Sequence, residues 1–463
     1  MYYRLKLSYS LRGWSRTPWV LVKRTENRIR YLKQEEFQTL LLCDGSTDLE
    51  KEYMSDEMKQ VLHRYEAENV VEPCLQEKEL AADQYYRYYD NPFVQSVLWS
   101  VTGYCNFRCR HCYMDAPEGK LGELSHQQAM DLIRQMAGCG VLCVDITGGE
   151  PLVRKDFWQL IDAIQSYQMT VGQIYTNGYL LTEDVLGEFE KRNLRPEFVI
   201  SFDGVGWHDW MRGVRGAEEA AIGALRICES WKFPTSVELC IHKGSLDALP
   251  KTVELLAGMG VSRLRVGTIA RTELWKKNSE GNAMDFQTYI QAMIDYIPRF
   301  FQAGMPMEVT LAGVIRLHKK SREFSVIPMR YQGTKECENR FLCKAARYTC
   351  YITPEGRLLP CMPMTACKEQ GLFPLIPDIG LQNGLKDSFY SKIVNSRVKD
   401  LLAVNEMCAS CEYKYDCGGG CRASALEQTG DLMGSVKDQC MLWKAGYVVK
   451  IQKAAEMSGS CYG

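Results

Sequence analysis

The chain has 463 residues, of which 46% are hydrophobic, and this size predicts two to four domains with sizeable cores. Its formal net charge of −1 gives no electrostatic basis for binding nucleic acid or an anionic membrane, and no apolar run reaches the roughly 18 residues of a spanning helix. Twenty cysteines without a signal-peptide pattern favour metal–thiolate chemistry in a cytoplasmic protein over a disulfide scaffold.

The first 82 residues predict a small separate domain. Two strand patterns, 19–24 and 28–32, flank the polar turn Thr25-Glu26-Asn27 and indicate a β-hairpin, and residues 35–42 and 56–67 have helical spacing. Such a winged-helix-like unit can accept an extended peptide on its sheet edge. The layout, with the turn Cys43-Asp44-Gly45, resembles the PqqD-like recognition domain of peptide-modifying enzymes, which implies binding of a leader peptide. A packing or dimerisation domain is the alternative, and residues 83–95 are predicted to be a linker.

Residues 96–315 alternate regularly between strand and helix patterns. Strands are predicted at 97–102, 141–147, 170–176, 197–202, 235–242 and 262–269, with helices at 125–138, 156–168, 182–192, 217–232, 247–258 and 285–303. Six such units predict a parallel sheet with right-handed crossovers, and therefore a partial (β/α)6 TIM-like barrel that is open on one side. With the front domain and a cysteine-rich α+β extension at 316–463, the fold class is α/β.

Polar motifs lie where the first four of these strands end, which is the catalytic end of such a barrel. Cys105, Cys109 and Cys112 follow the first strand, and Gly148-Gly149-Glu150-Pro151 follows the second. The third and fourth strands lead into Tyr175-Thr176-Asn177-Gly178 and Ser201-Phe202-Asp203-Gly204. Three thiols on one short loop can hold three irons of a cubic cluster and leave the fourth iron open.

This combination resembles the radical S-adenosylmethionine enzymes across the whole β/α stretch. The resemblance implies that Cys105, Cys109 and Cys112 hold a [4Fe–4S] cluster whose open iron binds S-adenosylmethionine. By the same resemblance, Gly148, Gly149 and Glu150 would meet the amino group of S-adenosylmethionine. Ser201 and Asp203 would lie near its ribose or methionine end, and Arg212 would pair with its carboxylate or lie on the surface. The implied reaction is reductive cleavage to a 5′-deoxyadenosyl radical that abstracts hydrogen from a substrate carbon.

The other cysteines divide into a second array and isolated residues. Between Cys337 and Cys440 there are ten, including a Cys408-x2-Cys411-x5-Cys417-x3-Cys421 run whose Gly418-Gly419-Gly420 lets the backbone approach a cluster. A zinc ribbon is the alternative. The isolated cysteines are expected to act as small buried hydrophobes; they are Cys43, Cys74, Cys139, Cys143, Cys228, Cys240 and Cys461.

The array resembles the SPASM extension of radical enzymes that modify peptides, which implies two auxiliary [4Fe–4S] clusters and three clusters in all. Cys343, Cys361 and Cys421 would serve the first auxiliary cluster, and Cys408, Cys411, Cys417 and Cys440 the second. A tight hairpin turn at 354–357 would put Cys350 across from Cys361 as a fourth ligand for the first cluster. Cys337 is the other candidate, and an open site that binds substrate is the third possibility. Cys367 is expected to be structural or free.

These features predict a radical enzyme that crosslinks or otherwise oxidises a ribosomally made peptide. Its partners would be a precursor peptide with a leader and an electron donor such as flavodoxin or ferredoxin, without nucleic acid or membrane. The alternatives are an oxidoreductase acting on a small molecule or tetrapyrrole, an anaerobic sulfatase-maturating type of enzyme, and a non-catalytic iron–sulfur carrier. Met362 stands where the sulfatase-maturating relatives have an acidic base, which argues against that activity.

Overall fold

The structure is a computed structural model that describes residues 1–24, 28–75, 78–114, 116–326, 333–458 and 461–462. The chain divides into two compact units, the first comprising residues 1–95 and 134–143 and the second residues 96–133 and 144–463. In the described residues no helix is long and apolar enough to cross a bilayer.

The first unit contains a small β domain with two sheets and two helices. Strand β1 pairs antiparallel with β5, and a four-stranded sheet has the order β4-β3-β2-β6. Helices α1 and α2 provide apolar faces to the core of this domain, which includes Phe37, Leu40, Val61 and Tyr65. The element bounds are β1 (Tyr2–Leu5), β2 (Tyr9–Trp14), β3 (Thr17–Lys23), β4 (Arg28–Tyr31), α1 (Gln34–Leu41), α2 (Asp56–Ala67), β5 (Val71–Cys74) and β6 (Arg87–Tyr89).

Strand β4 is an edge of its sheet among the described residues. Its register with β3 pairs Leu21 with Arg30 and Val22 with Ile29, and the N–H of Leu32 donates to the carbonyl of Trp19 at 3.0 Å. Antiparallel ladders bond through alternate residues, so Arg30 bonds inward and the N–H and C=O of Ile29 point away from β3. The outer side of β4 therefore offers backbone groups for strand addition.

The predicted hairpin and both predicted helices are present in this domain, whereas β1, β2 and β6 have no counterpart in the prediction. The turn predicted at Thr25-Glu26-Asn27 lies outside the described residues. Within the predicted linker 83–95, residues 87–89 form β6, which pairs parallel with β2. A three-residue strand has no detectable periodicity, which explains why the sequence did not reveal it.

The second unit is built on a long, mostly parallel sheet like that of a partial barrel. Its order is β17-β16-β7-β8-β9-β10-β11-β12-β13-β14-β15-β18, and neighbouring strands from β9 to β13 are parallel. The strands are β7 (Ser96–Ser100), β8 (Cys143–Thr147), β9 (Thr170–Thr176), β10 (Glu197–Ser201), β11 (Thr235–Cys240), β12 (Arg263–Gly267), β13 (Glu308–Leu311), β14 (Ile315–Leu317), β15 (Glu323–Val326), β16 (Thr349–Ile352), β17 (Leu358–Leu359) and β18 (Cys461–Tyr462).

The helices that alternate with these strands agree with the predicted six within a few residues, and α6 and α9 are additional short helices. Side-chain caps explain two of the starts, since Ser125 accepts from the N–H of Gln128 and Thr182 from that of Val185. The helices are α3 (His126–Gly138), α4 (Phe157–Ser166), α5 (Glu183–Lys191), α6 (His208–Arg212), α7 (Ala217–Ser230), α8 (Leu249–Gly258), α9 (Glu273–Asn278) and α10 (Phe286–Gln302).

The cysteine-rich region after β15 is made of short elements around a small core. That core contains Cys337, Leu342, Val398, Leu401 and Met433. Its helices are α11 (Ile376–Ile379), α12 (Leu381–Lys386), α13 (Ser388–Asn395), α14 (Val398–Val404), α15 (Glu406–Ala409), α16 (Lys414–Cys417), α17 (Arg422–Thr429), α18 (Lys437–Lys444) and α19 (Tyr447–Glu456).

The hairpin β16–β17 differs from the tight turn that the sequence suggested. The register pairs Tyr351 with Leu359 and Ile352 with Leu358, and the N–H of Thr353 donates to the carbonyl of Arg357 at 3.0 Å. Continued outward, this register puts Thr349 level with Cys361. The expectation that Cys350 lies directly across from Cys361 is therefore wrong by one residue, and a shift of one residue turns a side chain to the other face of a sheet.

Candidate radical and auxiliary-cluster sites

The three-cysteine loop begins after β7, and each of its thiols has an N–H donor directed at its sulfur. The backbone N–H of Phe107 donates to Cys105 at 3.4 Å and that of Ala116 to Cys112 at 3.4 Å. Arg212 Nη1 lies 3.8 Å from the sulfur of Cys109. These donors suit thiolates, because hydrogen bonds to sulfur stabilise the ionised ligands of a cluster.

Burial raises the pKa of the Cys105 thiol to about 12, and it also raises the pKa of Cys109 despite the opposing charge of Arg212. Without metal these two thiols are therefore neutral at neutral pH. Thiolate ligands must lose their protons to bind iron, so assembly of a cluster here releases protons.

The glycine turn after β8 packs directly against the start of the cysteine loop. A side chain at Gly149 would place its Cβ 2.2 Å from the carbonyl oxygen of Tyr104, and one at Gly148 would come within 2.8 Å of the carbonyl oxygen of Thr102. The N–H of Gly149 donates to Thr102 and that of Glu150 to Tyr104. Only glycine permits this close approach, which fixes Glu150 beside the loop.

Glu150 has no exposed surface and accepts hydrogen bonds from three neighbours. Its carboxylate accepts from Leu152 N–H at 3.2 Å, from Thr176 Oγ1 at 3.0 Å and from Asn177 N–H at 2.8 Å. Burial raises its pKa to about 7 although its hydrogen-bond donors oppose this, and within the described residues it forms no ion pair with a cation. A buried carboxylate of this kind fits a ligand that brings its own ammonium group.

Asn177 links the third strand end to the same loop. Its amide nitrogen donates to Asn106 Oδ1 at 2.7 Å and lies 3.9 Å from the sulfur of Cys105. The cysteine loop, the glycine turn and the end of β9 therefore lie together. The donor set fits a cluster with one open iron and a ligand that carries an amino group.

Asp203 is the centre of a buried charge cluster at the end of β10. Its carboxylate forms an ion pair with Arg212, with Nε–Oδ2 at 2.6 Å and Nη2–Oδ1 at 3.1 Å, and it accepts from the N–H of Cys240 at 3.1 Å. Desolvation opposes the charge, but Arg212 and His208 hold the pKa of Asp203 well below its usual value. Arg212 is thus buried beside Asp203 and Cys109, not on the surface.

Three histidines that the sequence analysis did not single out lie around Asp203. His208 Nδ1 accepts from the N–H of Asp203 at 2.9 Å, while burial lowers the pKa of His111 to about 4 and also lowers that of His242. Ligand atoms of His111, Asp203 and Cys240 lie within 4.8 Å of one another. Cys240, expected to be an isolated structural thiol, is thus part of this cluster, and only the position of His111 inside the cysteine motif could have signalled it.

An aromatic wall stands beside these groups. Trp207 and Trp210 each pack against His242 with ring centroids 4.9 Å apart, and Trp210 lies 6.3 Å from Trp275. The guanidinium of Arg110 covers Trp210 at 4.5 Å and pairs with Glu280 at 2.7 Å. Trp207 immediately precedes α6, Trp210 lies in α6 and Trp275 in α9. Asp203 and His208 beside this wall have no exposed surface.

The cysteines of the second array lie in two groups. One cavity is lined by four cysteines, together with Gly419, Trp443 and Lys444. These four are Cys408, Cys411, Cys417 and Cys440. The other group consists of three neighbouring thiols, those of Cys343, Cys361 and Cys421. Burial raises the pKa of Cys361, and negative charge on Cys421 or Cys343 raises it further. Four thiols around one cavity fit a fully ligated cluster.

The fourth-ligand candidates for the three-cysteine group lie in different surroundings. Cys350 is buried in β16, whose register with β7 pairs it with Val97. Cys337 is buried in the small core with Leu342 and Leu401. Cys367, expected to be structural or free, lies 3.7 Å from the carbonyl of Ala423, two residues beyond Cys421.

Comparison with known proteins agrees with this geometry. Residues 99–267 match the family model of the Radical SAM superfamily. The AdoMet-dependent heme synthase of Methanosarcina barkeri is 24% identical over 353 residues, covering 73% of this chain and 93% of that protein. The mycofactocin maturase MftC of Mycolicibacterium smegmatis is 27% identical over 345 residues, covering 74% and 81%.

Among solved structures, Streptococcus suis SuiB bound to its precursor peptide SuiA superposes with a TM-score of 0.64 at 17% identity. It covers 95% of this chain and 100% of its own. That identity establishes likeness of fold alone. The family match, the curated relatives and the cysteine loop with its glycine turn together show that this chain is a radical S-adenosylmethionine enzyme that resembles the SPASM peptide maturases and AdoMet-dependent heme synthase.

Proposed function

We propose that this enzyme is a peptide maturase that forms a crosslink or another oxidative modification in a ribosomally made precursor. The observation that carries the proposal is the joint presence of a strand edge in a separate N-terminal domain and two further cysteine groups in the C-terminal region. The relatives of this chain include a mycofactocin maturase and a PqqA peptide cyclase, and the second name states a peptide substrate. The fold likeness to peptide-bound SuiB extends over the N-terminal residues as well.

Residues 1–82 are proposed to bind the leader of the precursor along β4. Strand addition would use the outward N–H and C=O of Ile29, while Arg28 and Arg30 give this edge a basic character. The guanidinium of Arg30 forms an ion pair with Glu68 and lies over the ring of Tyr65. Backbone pairing would supply affinity, and the basic side chains would favour a leader with acidic residues.

At the radical site, Cys105, Cys109 and Cys112 are proposed to hold a [4Fe–4S] cluster, and Gly148, Gly149 and Glu150 the amino group of S-adenosylmethionine. Ser201 at the end of β10 would lie near the ribose or methionine end. When bound, this pair supplies a 5′-deoxyadenosyl radical after one-electron reduction, and the radical takes a hydrogen atom from the substrate.

The surrounding residues then have definite roles. Glu150 provides a buried negative charge for the amino group, and its three donors keep its oxygens oriented. Asp203 holds Arg212 beside Cys109. Arg212 is therefore better placed to stabilise the Cys109 thiolate than to pair with the carboxylate of S-adenosylmethionine. The wall of Trp207, Trp210 and Trp275 keeps water out, which limits quenching of a reactive species.

The two auxiliary sites are proposed to hold [4Fe–4S] clusters that carry electrons to or from the substrate. Cys343, Cys361 and Cys421 would bind the first, with Cys337 or an open position as its fourth ligand. Cys408, Cys411, Cys417 and Cys440 would bind the second. An external donor such as flavodoxin or ferredoxin would supply the electrons for the radical site.

A tetrapyrrole oxidoreductase is the second candidate, because AdoMet-dependent heme synthase matches this chain over 93% of its own length. That match covers only 73% of the present chain. A peptide-binding front domain gives the remaining residues a role that a tetrapyrrole substrate does not require. The sulfatase-maturating alternative lacks its acidic base at Met362.

The decisive test uses the full-length holoenzyme with S-adenosylmethionine and dithionite. One arm adds a synthetic peptide encoded by a short reading frame beside the gene, and the other adds an iron tetrapyrrole. We expect more moles of 5′-deoxyadenosine than of enzyme, and a mass change in the peptide but not in the tetrapyrrole. A product from the tetrapyrrole arm alone would favour the second candidate, and no 5′-deoxyadenosine in either arm would refute catalysis.

A matched pair of variants tests the edge of β4. Ile29→Pro removes the outward N–H and should weaken peptide binding at least about tenfold, equivalent to roughly 1.4 kcal/mol. Ile29→Ala keeps that N–H and should bind nearly as the parent does. Peptide-independent 5′-deoxyadenosine formation should be unchanged in both, and equal peptide affinity for all three proteins would exclude β4 as the docking edge.

A further inference from the structure

One fully enclosed guanidinium, that of Arg422, lies among the auxiliary cysteines. Only 2% of its surface is exposed. Its Nη1 donates to the carbonyls of Leu432 at 2.9 Å and Gly434 at 3.0 Å, its Nε to Gly420 at 3.4 Å, and its Nη2 to Gly419. All of these partners are neutral backbone oxygens.

Within the described parts of the chain, Arg422 has no carboxylate partner. A buried cation without an anion is strongly unfavourable, because carbonyl dipoles replace only part of the hydration that it loses. The position is therefore incomplete unless negative charge is supplied by something other than a carboxylate.

The negative charge available here comes from cysteines, and they belong to both groups. Gly419, whose carbonyl accepts from Arg422 Nη2, lines the cavity of the second group together with Cys408 and Cys417. The order of residues along the chain explains why Arg422 lies near both groups. Arg422 directly follows Cys421, and two of its carbonyl partners lie in the glycine loop that joins Cys417 of one group to Cys421 of the other.

We propose that Arg422 is a positioning residue that serves as one shared counter-charge for both auxiliary sites and sets their reduction potentials together. This inference rests on the proposed function, which assigns a cluster to each group. The guanidinium holds the glycine loop by its carbonyls, and its charge offsets the thiolates on both sides. One arginine thus couples two redox centres that have no cysteine in common.

The direction of the effect follows from electrostatics. Adding one electron to either site increases its negative charge, and a nearby buried cation stabilises that reduced form more than the oxidised form. Removing the cation must therefore move both midpoint potentials to more negative values. A purely structural arginine that only ties carbonyls together predicts loss of iron or of fold, but no common shift.

The experiment uses a full-length protein in which Cys105, Cys109 and Cys112 are all alanine, so that only auxiliary clusters contribute. About eight irons per chain are expected in this background for two four-iron clusters. In it, Arg422→Gln removes the charge and Arg422→Lys keeps it. Redox titration followed by electron paramagnetic resonance measures both midpoints.

We expect both midpoints to shift negative in Arg422→Gln and to stay near the parent values in Arg422→Lys. Arg316→Gln removes the same charge at an exposed position on β14 and should shift neither. Lys444→Gln removes a cation that lines the four-cysteine cavity only, and should shift the second midpoint alone.

The outcomes separate the two proposals. About eight irons with unchanged midpoints in Arg422→Gln, or a shift confined to one site, would overturn the shared counter-charge while leaving the auxiliary clusters intact. Far fewer irons in the parent background would instead refute the clusters themselves. If Arg422→Gln fails to load iron, the lysine variant decides, because failure of Arg422→Lys to load both sites at parent midpoints would show that shape, not charge, is required.

Discussion

Glu150 shows how one buried residue ties ligand binding to pH. Its carboxyl has a raised pKa of about 7, against an ordinary value of 4.5, because burial outweighs its three hydrogen-bond donors. The folded, ligand-free protein therefore holds this proton more tightly than the unfolded chain does. Stability from this group is greatest below pH 4.5 and is lost as the pH rises through about 7.

We predict that ligand-free Glu150→Gln is destabilised less than the parent as the pH rises, because it has no carboxylate to ionise. Thermal unfolding of both proteins between pH 5 and pH 8 measures the difference, which should grow in favour of Glu150→Gln. The same variant should bind S-adenosylmethionine at least about tenfold more weakly when the radical-site cluster is loaded, since a charged hydrogen bond is worth about 1.5–3 kcal/mol. Parallel pH curves for both proteins would contradict the assignment.

Asp203 and Arg212 form the second residue-scale device, in which each charge needs the other. We predict that Asp203→Asn lowers the free energy of unfolding by about 3–5 kcal/mol, because it leaves a buried guanidinium without its anion. The double variant Asp203→Asn with Arg212→Met should recover much of that loss. Urea unfolding measures both, Asp184→Asn on the exposed start of α5 is the control, and a double variant as unstable as the single one would argue against coupling.

At the scale of elements, the β16–β17 hairpin determines which cysteines can share a site. Because the register puts Thr349 level with Cys361, Cys350 belongs to the other face of the strand pair. We predict that Cys350→Ala retains about twelve irons per chain, whereas Cys361→Ala loses about four. Iron and sulfide analysis of the reconstituted proteins checks this, and loss of iron from Cys350→Ala would restore it as a ligand.

The same hairpin shows what sequence alone can and cannot predict. The strands and helices of the β/α stretch follow from apolar periodicity, and the cysteine groups follow from spacing, because both signals are local. The hairpin register depends on the bond between Thr353 and Arg357 and on Gly356 in a left-handed conformation with φ of +91°. The Asp203 cluster depends on residues from β10, β11 and the cysteine loop that meet only in three dimensions, so His208 and His242 carried no local sign of it.

At the scale of the whole molecule, the cysteine-rich region relies on little apolar core. Helices α14 to α18 have four to eight residues each, and a small group around Leu342, Val398 and Leu401 packs beneath them. Helices this short are not stable by themselves, so bound iron should contribute much of the local stability. Buried Arg422 adds to this dependence.

We predict that removal of iron by chelation makes residues 398–444 the first segment cut by a protease, while the β/α stretch stays intact. Mass spectrometry of the fragments locates the cuts, and reconstitution with iron and sulfide should restore resistance. Equal resistance with and without iron would mean that the region folds independently of its clusters.

Strand β16 gives the molecule a definite order of maturation. It pairs parallel with β7, and Ser100 Oγ lies 2.7 Å from Tyr351 Oη although 251 positions separate the two residues. A ribosome must therefore synthesise most of the chain before the edge of β7 is covered, and closing so long a loop is slow. Until then, the uncovered edge of β7 is exposed to aggregation, and the thiols of the loop that follows β7 are exposed to oxidation. We therefore expect iron to be delivered to that loop after translation has passed residue 352. Cluster insertion would then be coordinated with completion of the nascent chain.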